Sequence, residues 1–113
     1  MTLGQKQRLF TKLITELLLW AHKNGYEFSL GDAYRDHRVH GSFGEKKSYS
    51  SAVSMHKLRL AIDLNLFIDG VYQTTTESHK DIGLKWESMH ELCSWGGHFG
   101  DGNHYSFRHR GYR

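Results

Sequence analysis

Side chains of metal-binding and proton-carrying type recur at two places in this chain. His56 is followed seven residues later by Asp63, within Ser54-Met-His56-Lys-Leu-Arg-Leu-Ala61-Ile-Asp63. Near the end, Asp101 stands three residues before His104 in Asp101-Gly-Asn-His104. Two imidazoles and one carboxylate are enough to hold a catalytic zinc and still leave one coordination position for water. The remaining acid, Asp101, is then free to move protons.

These residues need elements to position them. From Arg59 to Ile68 apolar residues alternate: Leu60, Ile62, Leu64, Leu66 and Ile68 share one face, and Arg59, Ala61, Asp63 and Asn65 the other. That period of two describes a half-buried strand with Asp63 turned away from the apolar face. His56 lies an odd number of positions from Asp63, so if both bind one ion it must sit on a turn or loop before the strand. At the other end, Tyr105 and Phe107 alternate with His104 and Ser106, giving a second short strand. The glycine-rich turn Gly96 to Gly102 leads into it and carries Asp101.

The rest of the chain supplies packing. Leu9, Phe10, Leu13, Ile14, Leu17, Leu18 and Ala21 form one stripe of a helix over residues 5–24. Thr2 and Gln5 have capping-box form, and Asn24-Gly25 suits its end. Tyr26 to Leu30 reads as a strand that delivers Tyr34 and Arg35. Residues 36–53 are polar and aperiodic, and are expected to form one wall of a cleft, with room for a short helix. Asp69-Gly70 reads as a hairpin turn with Val71-Tyr72-Gln73 returning. Residues 77–93 read as helical, with an interruption near Gly83, and Cys93 as a small buried residue at the helix end. The expected fold is α+β: a small antiparallel sheet packed with helices on one face and the metal site on the other.

The pattern resembles the zinc D-alanyl-D-alanine carboxypeptidases and the phage L-alanyl-D-glutamate endopeptidases, whose motif is Ser-x-His-x-x-Gly-x-Ala-x-Asp followed by Glu/Asp-x-x-His. Ser54, His56, Ala61 and Asp63 match the first part, and Asp101 and His104 the second. Tyr34-Arg35 matches an upstream Tyr-Arg whose arginine sits in the substrate site. Ser94-Trp95-Gly96-Gly97 with Phe99-Gly100-Asp101-Gly102-Asn103-His104 looks like the endolysin branch. The resemblance covers roughly residues 25–110. It implies a hedgehog/DD-peptidase-like fold, zinc on His56, Asp63 and His104, and Asp101 as the catalytic acid and base. It also implies Arg35 as a group that holds a substrate carboxylate or steadies an oxyanion. Ser54 either contacts substrate, orients His56, or simply forms the local turn. Two departures stand out. Arg59 replaces the family glycine, which suggests ordinary extended backbone there and a charge near the metal face. Asp101 is one methylene shorter than the usual glutamate.

The implied activity is hydrolysis of the L-alanyl-D-glutamate bond in the stem peptide of bacterial peptidoglycan, with D-alanine removal as the alternative within the family. The chain has 113 residues, 38% hydrophobic and 24% charged, with a formal net charge of +3. That suits one domain with a modest core, and a monomer is expected. The mild basic excess favours anionic partners without choosing among them. The single cysteine allows no internal disulfide. The start of the chain has no signal-like pattern, and no apolar run reaches membrane length. The expected place is therefore the cytoplasm, with release to the wall by another factor such as a phage holin.

Other chemistries compete for the same residues. A small metal-dependent nuclease would use the histidines around Asp36-His37 and the basic tail Arg108 to Arg113, but the chain lacks paired Cys-x-x-Cys knuckles, and no nucleic-acid partner is expected. A non-catalytic zinc module is the third reading, and the presence of Asp101 argues against it. His22 suits a helix end. His37, His40, His79, His90, His98 and His109 read as surface or capping residues, with His98 notable for lying just before Asp101. Trp95 and Tyr105 read as core or cleft residues.

Overall fold

The apolar stripe expected over residues 5–24 is the buried face of helix α1, Leu3–Lys23, in a computed structural model that describes residues 1–113. Thr2 accepts from the Gln5 backbone N–H, and the Gln5 side chain accepts from the Thr2 N–H, closing the capping box. Asn24 and left-handed Gly25 (φ 86°) end the helix as read. Leu13, Ile14, Leu17 and Ala21 are buried beneath it.

Five antiparallel strands form the sheet: β1 (Tyr26–Leu30), β2 (Ala61–Ile68), β3 (Val71–Tyr72), β4 (Cys93–Trp95) and β5 (His104–Phe107). The spatial order is β1-β2-β5-β4, with β3 pairing the end of β2. The far half of β2 pairs with β1, Leu64 opposite Leu30 and Ile68 opposite Tyr26. Its near half pairs with β5, Ala61 opposite Ser106 and Asp63 opposite His104. Residues of the apolar face, Leu60, Leu64 and Leu66, are fully buried. Each such side chain contributes about 1.5–3 kcal/mol of transfer free energy. Asp69 and Gly70 turn the β2–β3 hairpin with positive φ at both positions. The α+β reading therefore holds.

Residues 77–93 differ from the sequence expectation. A 3-10 turn, Glu77–His79, leads into helix α3, Lys80–Met89, which runs through Gly83 without a break. His90 is extended (φ −163°, ψ 150°) and ends the helix, so Cys93 is the first residue of β4 rather than the last of a helix. It is buried, as expected. A three-residue strand is too short to show a period in sequence. Gly83 serves contact instead of interruption: a Cβ there would lie 2.1 Å from the Trp95 ring, so glycine lets α3 sit directly on the indole of β4. Trp86, also on α3, is fully buried and donates its ring N–H to the carbonyls of Ser94 and Ser106.

The segment 36–53 is irregular apart from helix α2, His37–His40. Buried Lys57 holds it, donating its ammonium to the carbonyls of Ser42 and Glu45. No helix of the chain is long and apolar enough to cross a membrane.

Candidate metal centre

His56 sits on a 3-10 turn, Met55–Leu58, immediately before β2, the placement expected if it shares an ion with Asp63. The Ser54 side chain caps this turn by accepting from the His56 backbone N–H at 3.2 Å. Arg59 closes the turn in the left-handed region (φ 56°, ψ 34°), with its N–H shared between the His56 and Met55 carbonyls. The expectation of extended backbone at Arg59 is thus corrected. The position needs positive φ, which glycine supplies freely and arginine adopts at about 1–3 kcal/mol. The Arg59 guanidinium lies 3.8 Å from the Tyr34 ring centroid, an attraction that offsets part of this cost. Both side chains line an apolar groove with Phe10 and Ile14 rather than the cleft that holds His56.

Asp63 and His104 face each other across β2 and β5. His56 Nε2 lies 3.2 Å and His104 Nδ1 3.7 Å from the same oxygen, Asp63 Oδ1. The His56 and His104 rings are 5.2 Å apart, near edge-on. One ligand atom from each of His56, Asp63 and His104 can be chosen so that all lie within 4.8 Å of one another. The His56 and His104 side chains are 2% and 8% exposed and that of Asp63 is 17%. Burial opposes ionisation of Asp63, but without a metal the hydrogen bonds and positive charge of protonated His104 and His56 would outweigh it and hold the carboxyl well below its ordinary range.

Arg35 lies on the cleft wall and also braces this group. Its Nη2 is 3.7 Å from Asp63 Oδ2. Its Nε pairs with Asp32 at 3.0 Å, and Nη1 donates to Ser50 and Ser54 at 3.3 Å each. The guanidinium thus bonds Asp32, Ser50 and Ser54 through Nε and Nη1, and Ser54 serves Arg35 and the His56 turn, while both residues remain on the cleft wall.

No protein-family model matches the chain, and no curated protein matches it. The site's own chemistry carries the functional argument. Neutral imidazole and carboxylate are the donors a divalent transition metal takes. His56 Nδ1 is 2.9 Å from the Ala33 carbonyl, so N–H donation there would leave Nε2 with its lone pair turned towards Asp63. His104 Nε2 is buried with no hydrogen-bond partner, which a protein-only site would not favour. The buried His56, Asp63 and His104 group can hold a metal ion.

Asp101 follows a 3-10 turn, Gly96–Phe99, and left-handed Gly100. Its N–H donates to the Gly96 carbonyl, and its carbonyl accepts from the His104 N–H at 3.1 Å. Gly96 is held by contact, since a Cβ there would lie 2.2 Å from the Asp101 carbonyl oxygen and 2.7 Å from His104 Cβ. Asp101 lines a cleft of about 260 Å³ together with Arg35, Ser54, His56 and His104. It also borders a polar hollow of about 220 Å³ that contains Thr75, His79 and Asn103.

The other histidines divide. His79 is buried (3% exposed) and hydrogen-bonded to the Tyr105 hydroxyl at 2.8 Å, so the surface reading is corrected. It lies on the short turn before α3, where no period betrays burial. Burial lowers its pKa to about 4. His98 pairs with Glu87 at 2.7 Å and stacks edge-on against Trp95, apart from the metal group. Asp36 caps α2 and pairs with Arg38, leaving Asp36-His37 on the surface. Trp95 and Tyr105 are core residues. Phe99, Tyr112 and Arg113 also line the cleft and were not legible in sequence, because a tail residue's position depends on where the chain turns back.

Proposed function

We propose that this protein is a zinc-dependent peptidase that cuts the L-alanyl-D-glutamate bond in the stem peptide of bacterial peptidoglycan. The observation that carries the proposal is the convergence of His56 and His104 on one oxygen of Asp63, beside a cleft whose wall carries Asp101. The order and spacing of these residues, and their resemblance to the endolysin branch of the zinc peptidases, support the choice of bond.

Zinc held by His56, Asp63 and His104 would supply Lewis acidity and lower the pKa of bound water to about 7. Asp101 then accepts the proton of the attacking water and returns one to the leaving amine nitrogen. Arg35 keeps Asp63 oriented through its Oδ2, and the Ala33 carbonyl fixes the tautomer of His56. Asp101 has no ion-pair or side-chain hydrogen-bond partner within the protein, which leaves it available as a proton carrier.

The deciding experiment is mass spectrometry of peptidoglycan fragments after incubation with zinc-loaded protein, beside an EDTA-treated control and the Asp101→Asn variant. Metal-dependent release of stem peptides, with a new L-alanine carboxyl end on the glycan side, is the expected result. Asp101→Asn should abolish it while zinc stays bound. Release of D-alanine alone would move the bond to the end of the stem. No release from several wall chemotypes would overturn the peptidase reading, and unimpaired turnover by Asp101→Asn would remove Asp101 from the mechanism.

A further inference from the structure

Arg35, on the cleft wall, is paired with Asp32, hydrogen-bonded to Ser50 and Ser54 and 3.7 Å from Asp63. The cleft contains a second arginine. Beyond β5 the chain reverses through Arg110 and Gly111, both at positive φ. His109 and Tyr112 close the turn with paired backbone hydrogen bonds of 2.9 and 3.0 Å. This carries Tyr112 and Arg113 back over the cleft that holds His56, Asp101 and His104. Tyr112 packs edge-on against Phe43, with ring centroids 5.8 Å apart. The Arg113 guanidinium lies 5.1 Å from the Phe99 ring centroid, and the Phe99 ring lies 5.8 Å from that of His104. Arg113 is exposed and makes no ion pair, so it is the cleft's free cation. A turn, an aromatic contact and a cation–π contact hold it one ring away from the metal group.

We infer that Arg113 binds the substrate carboxylate carried on the carbon attached to the scissile nitrogen, and so sets specificity on the leaving-group side. The inference rests on the proposed peptidase reading but not on which bond is cut. In L-alanyl-D-glutamate that carbon carries the glutamate α-carboxylate, and in a terminal D-alanyl-D-alanine it carries the C-terminal carboxylate. An arginine fork can take either group with charge-assisted hydrogen bonds. Amidation of the glutamate α-carboxylate removes the charge and leaves the scissile bond unchanged.

The test pairs two stem peptides, one with the free D-glutamate α-carboxylate and one with the α-amide, against the parent protein, Arg113→Gln and Arg113→Lys. The parent should prefer the free acid. Arg113→Gln should raise KM for the free acid about tenfold, leave kcat within about twofold, and leave the amide unaffected. Arg113→Lys should recover part of the preference. Equal use of both peptides by the parent, or equal loss on both in Arg113→Gln, overturns the inference. Calorimetric binding of the same peptides to zinc-loaded Asp101→Asn protein, with and without Arg113→Gln, separates the two readings. Carboxylate-selective binding that depends on Arg113, together with no cleavage by the parent protein, sustains the inference and overturns the peptidase. Binding that ignores the carboxylate overturns the inference whatever is cut.

Discussion

Asp63 and His104 are direct cross-strand partners in the antiparallel pairing of β2 with β5, and the His104 ring reaches to 3.7 Å from the Asp63 carboxylate. Two members of the candidate metal group are thus placed by sheet register. A one-residue slip would turn either side chain to the opposite face. The buried apolar set Leu60, Leu64 and Leu66 resists such a slip, so the packing that folds the strand also aligns the ligands.

Zinc should therefore bind the folded protein at one site and stabilise it. At a free concentration a hundredfold above Kd the gain is about 2.7 kcal/mol. Asp63→Ala and His104→Ala should each remove the zinc-dependent rise in Tm, whereas Asp101→Asn should keep it. Differential scanning calorimetry with and without zinc checks this, and a full zinc shift in either ligand variant would refute the assigned set.

Arg35 should matter through Asp63 rather than through substrate. Arg35→Met leaves Asp63 Oδ2 without its cation and removes one partner each from Asp32, Ser50 and Ser54. Loss of such a supporting partner costs about 10–100-fold in metal affinity. Competition with a chromogenic chelator measures the affinity. An unchanged value with altered KM would return Arg35 to the substrate.

Gly83→Ala should be destabilising although alanine is the better helix former. The added Cβ falls 2.1 Å from the Trp95 ring, and that indole also packs against Gly97 and donates to the Gly102 carbonyl at 2.7 Å. Overpacking of this kind costs about 1–3 kcal/mol. Urea denaturation would show a lower midpoint at unchanged slope, and a stabilised variant would mean that α3 and β4 are not in contact.

Stability should also fall as pH drops through the range set by His79. Its folded pKa is about 4 against an ordinary 6.5, because burial disfavours the charged ring. Between these values the unfolded chain binds more protons than the folded one, so stability rises with pH and is lost on acidification. The full effect is on the order of 3 kcal/mol. His79→Gln removes this share, so the stability gap between parent and variant should narrow from pH 7 to pH 4. Urea titrations of both proteins across that range test it, and a pH-independent gap would show that His79 is not buried as a neutral ring.

Much of the scaffold was legible because local rules fix it. The capping box at Thr2 and Gln5, the stripe of α1, the alternation of β2 and the Asp69-Gly70 turn all follow from periodicity and backbone preference within a few residues. The grouping of His56, Asp63 and His104 came from the resemblance to the zinc peptidases, since strand parity placed each side chain on a face but did not by itself bring the three together. Strand β4 was missed because three residues carry no period. The left-handed backbone at Arg59 was missed because its side chain gave no sign of the turn it closes.

The sequence by itself determined which residue types the candidate site offers as donors, and which strand faces bear them, because types and alternation are local properties. The tertiary structure decided how they are shared. It committed Arg35 to Asp63, buried His79 against Tyr105, set Gly83 against Trp95 and returned Arg113 to the cleft. Each of these depends on distances between residues far apart in the chain, which only the packed sheet and its turns define.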